Sequence, residues 1–381
     1  MKKRILEIEQ EARFWLIDIA APVWSDRGRT ASGLFPERMT LDGVPNDEYF
    51  RTFVQARHIY SMVAAGKAGW GGPWRTLVDE TMRVLIAKAK RPDGFYVHRL
   101  NRDAAVLDAR ADLYDQAFVL FALGTAGGAL AENAFFDEAE ALLDRIEANW
   151  AHPQGGFREG EIVDPSVRRQ NPHMHLFEAF SALYEASQRP RFGDAARAVA
   201  ELCRTKLVDP ASGALLEYFK EDWTPASGDE GRIVEPGHCF EWAWLFERLA
   251  RSGSPHAVAV SDAMTAFGRR HGIDAARGVA MNEVLTNGRV VNNKARLWPQ
   301  TERIKVAVVR YHRTGNEEDL REVVDGWAGL RQYFLPKAPY LWRDKMNEDG
   351  SFIEELAPGS SLYHISCAIS EMCSLRAATD N

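Results

Sequence analysis

The sequence predicts an all-α fold, an (α/α)6 barrel or toroid with six inner helices inside six outer ones and short β-hairpins between helix pairs. Three observations lead there. Apolar residues recur at helical spacing in twelve segments. Alternate segments differ in kind, one apolar on most faces and the next with a charged face. Chemistry-bearing side chains also recur at a period of about sixty residues, the mark of a repeated supersecondary unit. His175, His238 and His364 are separated by 63 and 126 residues, and the skipped position 301 falls inside Trp298-Pro-Gln-Thr-Glu302. Asp115 lies 60 residues before His175, and Arg57 lies 58 before Asp115. Equivalent points of repeats that close into a ring face one central cavity.

The twelve segments run over 2–22, 46–65, 72–90, 110–126, 133–149, 173–187, 191–206, 237–252, 255–272, 299–313, 317–333 and 361–377. Those beginning near 46, 110, 173, 237, 299 and 361 carry aromatic and small residues on most faces, as in AFVLFALG, HLFEAFSALYEA and CFEWAWLFERLA. A helix apolar nearly all round is buried, so these are the inner set. The others, such as FFDEAEALLDRIEANW and FGDAARAVAELCRTK, keep a charged face and belong outside. Between pairs lie DGFYVHRL, GGFREGEIV, SGALLEYFKEDW, RGVAMNEVL and DGSFIEEL, each predicted as a hairpin strand opened by a turn glycine. GLFPERMTLDG, at 33–43, is an atypical first member. No Pro- or Ser-rich linker divides the chain, which is therefore expected to form one domain over 1–381. An open helical solenoid is the plainer alternative, but it would not gather histidine, glutamate and tryptophan at matching helix ends.

Composition bounds the function. The chain is 46% hydrophobic with eleven tryptophans, enough for a sizeable core. A net charge of −7 argues against nucleic acid or an anionic membrane as partner. Glu7, Glu9 and Glu11 interrupt what would be the apolar core of a signal peptide, and no apolar stretch approaches the roughly 20 residues that span a bilayer. Cys203, Cys239, Cys367 and Cys373 include no CxxC pair and fit reduced thiols in a cytoplasmic protein. Whether the chain forms a homo-oligomer is left open.

The chemistry concentrates at the starts of the inner helices. In Glu235-Pro-Gly-His-Cys-Phe-Glu-Trp-Ala-Trp244, Glu241 stands three residues after His238 on the same helix face, where a carboxylate can hold the imidazole's tautomer and raise its pKa. His175 and Glu178 repeat that relation. His173 and His175 form an HxH pair, but positions i and i+2 of a helix point about 200° apart, so one ion cannot take both; no metal and no cofactor are expected. Ser360 or Ser361 is placed to cap the last helix. His364 then sits in its first turn, where the helix dipole favours a neutral, proton-accepting imidazole. Arg57 could hold an oxygen that gathers charge, or could form an interior ion pair with Asp115 or Glu302. Tyr114 and Asp115 open the second inner helix, and Trp298 and Glu302 the fifth, with Trp298 offering a flat face to a sugar ring. The Arg168-Arg169 patch is expected to be solvated surface, with contact to an anionic substituent as the alternative. There is no phosphate loop and no GxSxG elbow.

These residues resemble the N-acylglucosamine 2-epimerase superfamily of sugar epimerases and isomerases. The carriers are Arg57 in FVQARHIY, Tyr114-Asp-Gln-Ala-Phe118, Asn171-Pro-His-Met-His-Leu-Phe-Glu178, Pro236 to Trp244, Trp298 and Tyr363-His364, over about residues 35 to 375. The resemblance implies an (α/α)6 barrel acting without metal at C1–C2 of an aldose. It implies His238 and His364 as the acid/base pair and His175 as a ring-opening or substrate-holding histidine. Glu241 would then orient His238, Arg57 would bind oxygen, and Asn171 and Trp298 would contact the substrate. Tyr114, Asp115 and Glu302 join them as candidate substrate contacts. Disaccharide epimerases carry a tryptophan shortly before the C-terminal Tyr-His. Here Ala357-Pro-Gly-Ser-Ser-Leu has no aromatic residue, which points to a monosaccharide.

The expected reaction is aldose–ketose isomerisation of a mannose-type sugar, mannose to fructose, through a cis-enediol(ate), with 2-epimerisation as the alternative. Two rivals come from other classes. A glycoside hydrolase would need a carboxylate pair, Asp115 with Glu302 or Glu241. A non-catalytic sugar-binding toroid would keep Trp298 and Arg57 but need no histidine trio.

Overall fold

The computed structural model describes residues 1–164, 168–251, 253–254 and 256–379. Residues 252 and 255, predicted ends of two segments, lie outside them. The chain opens with α1 (Lys2–Phe14), which runs through a wide π-type turn, Trp15–Ala20, into α2 (Ala21–Asp26). Then come α3 (Thr52–Ala68), α4 (Trp74–Val84), α5 (Leu113–Leu130), α6 (Asn133–Trp150), α7 (Asn171–Ser187) and α8 (Pro190–Leu202). The last five are α9 (Pro236–Ala250), α10 (Ala257–His271), α11 (Leu297–Thr314), α12 (Glu317–Arg331) and α13 (Ser360–Thr379).

Every predicted helix is present, and the alternation holds. α3, α5, α7, α9, α11 and α13 each pack against the next, and α13 returns to α3, so the inner ring closes. α4, α6, α8, α10 and α12 lie outside it, and α1 completes the outer ring, packing on inner α13 and beside outer α12. Stacking of Trp15 on Phe334 (4.7 Å) and Trp24 on Trp342 (4.9 Å) ties the N-terminal rod to the last round. The inner helices owe their place to composition. In α5 the run Ala117 to Gly124 is buried on all sides, and each large side chain so buried contributes about 1.5–3 kcal/mol. By length and composition alone α5 could cross a bilayer, but its apolar faces are spent on the ring.

The two ends of the barrel differ. At one end the chain passes from inner to outer helix in tight turns, with Gly69, Ala131, Gln188 and Gly315 in the left-handed conformation at the inner-helix C-termini. A left-handed residue there satisfies orphan carbonyls and reverses the chain. At the other end long loops lead from each outer helix to the N-terminus of the next inner one. The predicted strands lie in these loops, where they fold back as short hairpins, as Arg99–Leu100 does on Val106–Asp108 and Glu283–Leu285 on Val290–Asn292, and also join successive rounds. Phe50–Arg51 pairs with Arg99–Leu100, Arg168–Arg169 with Tyr218–Phe219, and Ile233–Val234 with Glu283–Leu285. Ala295–Arg296 pairs with Lys345–Met346, Ala357–Pro358 with Arg38–Met39, and Asp112 bridges Gly160. Residues 46–51, predicted as helix, belong in part to this belt, because pairing with the neighbouring loop outbids an isolated first turn. The belt holds all six inner N-termini around one mouth.

Candidate active site

The mouth of the inner ring encloses a cavity of about 140 Å³, lined by Arg57, Tyr114, Asn171, His175, His238, Glu241, Trp298 and His364, with Glu235 and Arg296 at its edge. A larger cavity of about 440 Å³ opens at the opposite end between α3, α5, α7 and α9, but no histidine lines it. Chemistry, not size, picks out the first.

The three imidazoles share one arrangement. Each presents Nδ1 to a carboxylate and keeps Nε2 for the cavity side. His175 Nδ1 lies 3.3 Å from Glu178 Oε2, His238 Nδ1 lies 3.0 Å from Glu217 Oε1, and His364 Nδ1 lies 2.9 Å from Glu302 Oε1. Their surroundings then drive them apart. Burial would lower the pKa of His238, but Glu217 and Glu235 outweigh it and push it up to about 10. Burial holds His175 down to about 4. Burial, with Arg57 and Lys305 nearby, holds His364 well below its ordinary value. Near neutral pH the site therefore offers an imidazolium at His238 and a bare imidazole at His364. Titratable groups whose environments separate them in this way form an acid and base pair. Asn171 Nδ2 lies 3.2 Å from His238 Nε2 while its Oδ1 is buried without a partner. Opposite an imidazolium, half a turn of the amide supplies Oδ1 as the acceptor.

Several expected roles change. Glu241 does not orient His238; Glu217 does, from the loop ahead of α9. Glu217 also accepts from Gln170 Nε2 at 2.9 Å, so it is anchored before the imidazole meets it. Glu241 instead lies between the other two histidines, its carboxylate within 4.8 Å of both His175 and His364 nitrogens. Its Oε1 is buried without a partner, and burial beside Glu302 holds its pKa well above the carboxylate range. Asp115 does not line the cavity: it accepts from His98 Nδ1 at 2.7 Å and from the Phe53 N–H, fastening α5 to α3. Glu302 likewise sits behind His364. That removes the carboxylate pair a glycoside hydrolase needed.

Arg57 forms no ion pair among the described residues. It donates to Tyr114 Oη at 2.7 Å and to Ser360 O at 3.4 Å, with its guanidinium 4.3 Å from the Phe118 ring centre. It is a cation held by aromatic rings with its charge unspent. Trp298 lies between the two key imidazoles, 4.8 Å from His238 and 5.8 Å from His364 between ring centres. Ser361 donates to Asp344 instead of capping α13, and His364 is the fifth residue of that helix. His173 faces away, accepting from the Phe157 N–H, so it shares no ligand position with His175. Arg168 and Arg169 are tied to Glu221 and Glu159 and are not a solvated patch. The Cys239 thiol is pushed up to about 12 by burial.

Three imidazole–carboxylate groups, one around each histidine, have donor spacing that a cation could use. In each, a carboxylate oxygen already faces the Nδ1 of its histidine, which occupies the nitrogen nearest the acid.

The model of the family described as N-acylglucosamine 2-epimerase matches residues 33–368. A mannose-6-phosphate isomerase of Rhizobium meliloti is 38% identical over 367 residues, 94% of this chain and 95% of the relative. A D-mannose isomerase of Thermobifida fusca is 26% identical over 293 residues, 71% of each chain. Among solved structures, the cellobiose 2-epimerase of Spirochaeta thermophila superposes with a TM-score of 0.87 at 21% identity, covering 100% of this chain and 99% of its own. That last likeness speaks for the fold alone.

Proposed function

Because the chain belongs to the N-acylglucosamine 2-epimerase family and is a sugar isomerase or epimerase, we propose that it converts a mannose-type aldose to the corresponding ketose through a cis-enediol(ate). The observation that carries this is the pair of buried imidazoles near Trp298, each with Nδ1 against its own carboxylate, whose surroundings push His238 up and hold His364 down. With an open-chain aldose in the cavity, His364 Nε2 removes the proton from C2. The C–H electron pair becomes the C1–C2 double bond, and O1 takes a proton from His238 Nε2. The O2 hydroxyl then returns a proton to His238 as C2 becomes a carbonyl, and His364 delivers its proton to C1. Arg57 supplies positive charge, and Glu241, its carboxyl pushed up by burial beside Glu302, can supply a donor where the enediolate oxygens gather charge. Delivery of a proton to the other face of C2 by His238 would give the epimer instead.

A second reading concerns the substituent. Arg296 stands at the rim with its side chain 46% exposed and only a 3.4 Å contact to Asp344. A half-exposed guanidinium held only by that one contact among the described residues suits a phosphate on the far end of the sugar, in keeping with the name of the R. meliloti relative. The test is incubation with mannose, mannose 6-phosphate, glucose, fructose and N-acetylglucosamine in deuterated water, read by NMR. Ketose with deuterium at C1 and recovered aldose with deuterium at C2 are expected, and the better of the two mannoses decides the substituent. An epimer without ketose would replace isomerisation by 2-epimerisation. No exchange with any sugar would overturn the reading.

The charge states also predict the pH profile. His238 stays protonated until pH nears 10, and His364 takes a proton only well below the ordinary histidine range. Turnover should therefore be flat from about pH 7 to 9 and fall above that as His238 loses its proton. A half-maximal loss already at pH 7.5 would contradict the imidazolium assignment.

A further inference from the structure

Under the cavity lies an ammonium group that the mechanism above does not use. Lys305 is wholly buried on α11, one turn after Glu302. Its Nζ lies 2.6 Å from Glu302 Oε2 and 3.6 Å above the centre of the Trp244 ring. The other oxygen of Glu302 faces His364 Nδ1. Trp244, Lys305, Glu302 and His364 thus form one chain from the barrel core to the cavity. The remaining charged and titratable groups around it come from every packed helix. Glu178 and His175 lie on α7, Glu241 on α9, Arg57 on α3, and Cys367 and Tyr363 on α13.

A lysine is seldom buried unless it is paired, and this one is paired with the carboxylate behind the base. The pairing has a chemical consequence. A protonated glutamate at this point would donate to Nδ1, move the imidazole proton to Nε2 and leave His364 unable to accept the C2 proton. At the neighbouring Glu241, which has no such ion pair among the described residues, burial beside Glu302 pushes the carboxyl well up. We propose that Lys305 is a positioning residue for proton transfer at His364: by holding Glu302 as a carboxylate turned towards Nδ1, it fixes the tautomer that leaves Nε2 bare. This rests on His364 being the base.

The experiment compares full-length wild type, Lys305→Met, Glu302→Gln and the double variant. In Lys305→Met the buried carboxylate loses its counter-ion and takes a proton. The expected result is a fall in kcat of roughly tenfold or more at pH 7 with KM changed by no more than about twofold. The acid limb should move to higher pH, with partial recovery in alkaline buffer. Nitrogen-15 NMR of the histidines, which needs no substrate, should show His364 passing from the Nδ1–H to the Nε2–H tautomer. In the Glu302→Gln background, Lys305→Met should change kcat by no more than about twofold, because its route of action is gone.

A folded Lys305→Met enzyme with wild-type kcat and pH profile would overturn the proposal. So would a uniform loss with the Nδ1–H tautomer retained, or a further tenfold loss in the double variant. If Lys305→Met alone does not fold, the double variant, which carries neither charge, still decides. If the wild type turns over no sugar, the functional reading fails by itself, and the tautomer measurement still tests Lys305.

Discussion

Replacing His364 by asparagine is expected to lower kcat by roughly 10²–10⁴-fold, the usual cost of losing a general base, and to abolish deuterium uptake at C2. The loss should fall on turnover, with KM little altered, because in the proposed complex binding is assigned to Arg57, Trp298 and Asn171. The physical reason is the state of the imidazole. It is buried, kept neutral by Arg57 and Lys305, and oriented through Nδ1 by Glu302 at 2.9 Å, so Nε2 is a lone pair ready at neutral pH. Asparagine cannot accept a proton from carbon. Near-normal exchange at C2 in this variant would refute the assignment and pass the role to His175, the other neutral imidazole of the cavity.

Glu217→Gln should be the second most damaging change, with kcat down by about 10²-fold, although Glu217 does not line the cavity. That carboxylate is the larger of the two, with Glu235, that outweigh the burial of His238 and raise it to about 10. Without that charge, burial wins, and the imidazole loses its proton at lower pH. The sign is definite: the alkaline limb should move from near pH 10 towards neutrality, and activity should survive best in acid. Glu241→Gln makes the control. Glu241 acts on His238 less than Glu217 or Glu235 does, and the amide keeps its size, so the alkaline limb should move little. A Glu241→Gln enzyme with a shifted alkaline limb, beside a Glu217→Gln enzyme without one, would restore Glu241 as the partner of His238.

These two carboxylates show where sequence reading stopped. Glu178 is three residues from His175 on one helix, so their contact follows from helical geometry and was legible. Glu217 lies 21 residues before His238, in a strand-forming loop. Its one sequence signal is an acidic residue inside the apolar run Leu215-Leu216-Glu217-Tyr218-Phe219, where a solvated glutamate is out of place. Glu302 was singled out for its position, but its partner His364 is on the next inner helix. Only closure of the ring reveals that it serves the histidine and not the sugar. Asp115 kept the repeat spacing and yet faces His98, because the loop carrying His98 docks over the start of α5.

The sequence by itself determined the twelve helices, their inner and outer alternation and the placing of histidines at inner-helix starts. These depend on periods of three to four residues and on a repeat of about sixty, which are properties of the chain alone. Which carboxylate meets which imidazole, and therefore which histidine is charged, was decided only by the tertiary structure. Those contacts join residues tens to hundreds of positions apart. The charge of a buried group, moreover, is set by burial and by the neighbours that folding brings within a few ångströms.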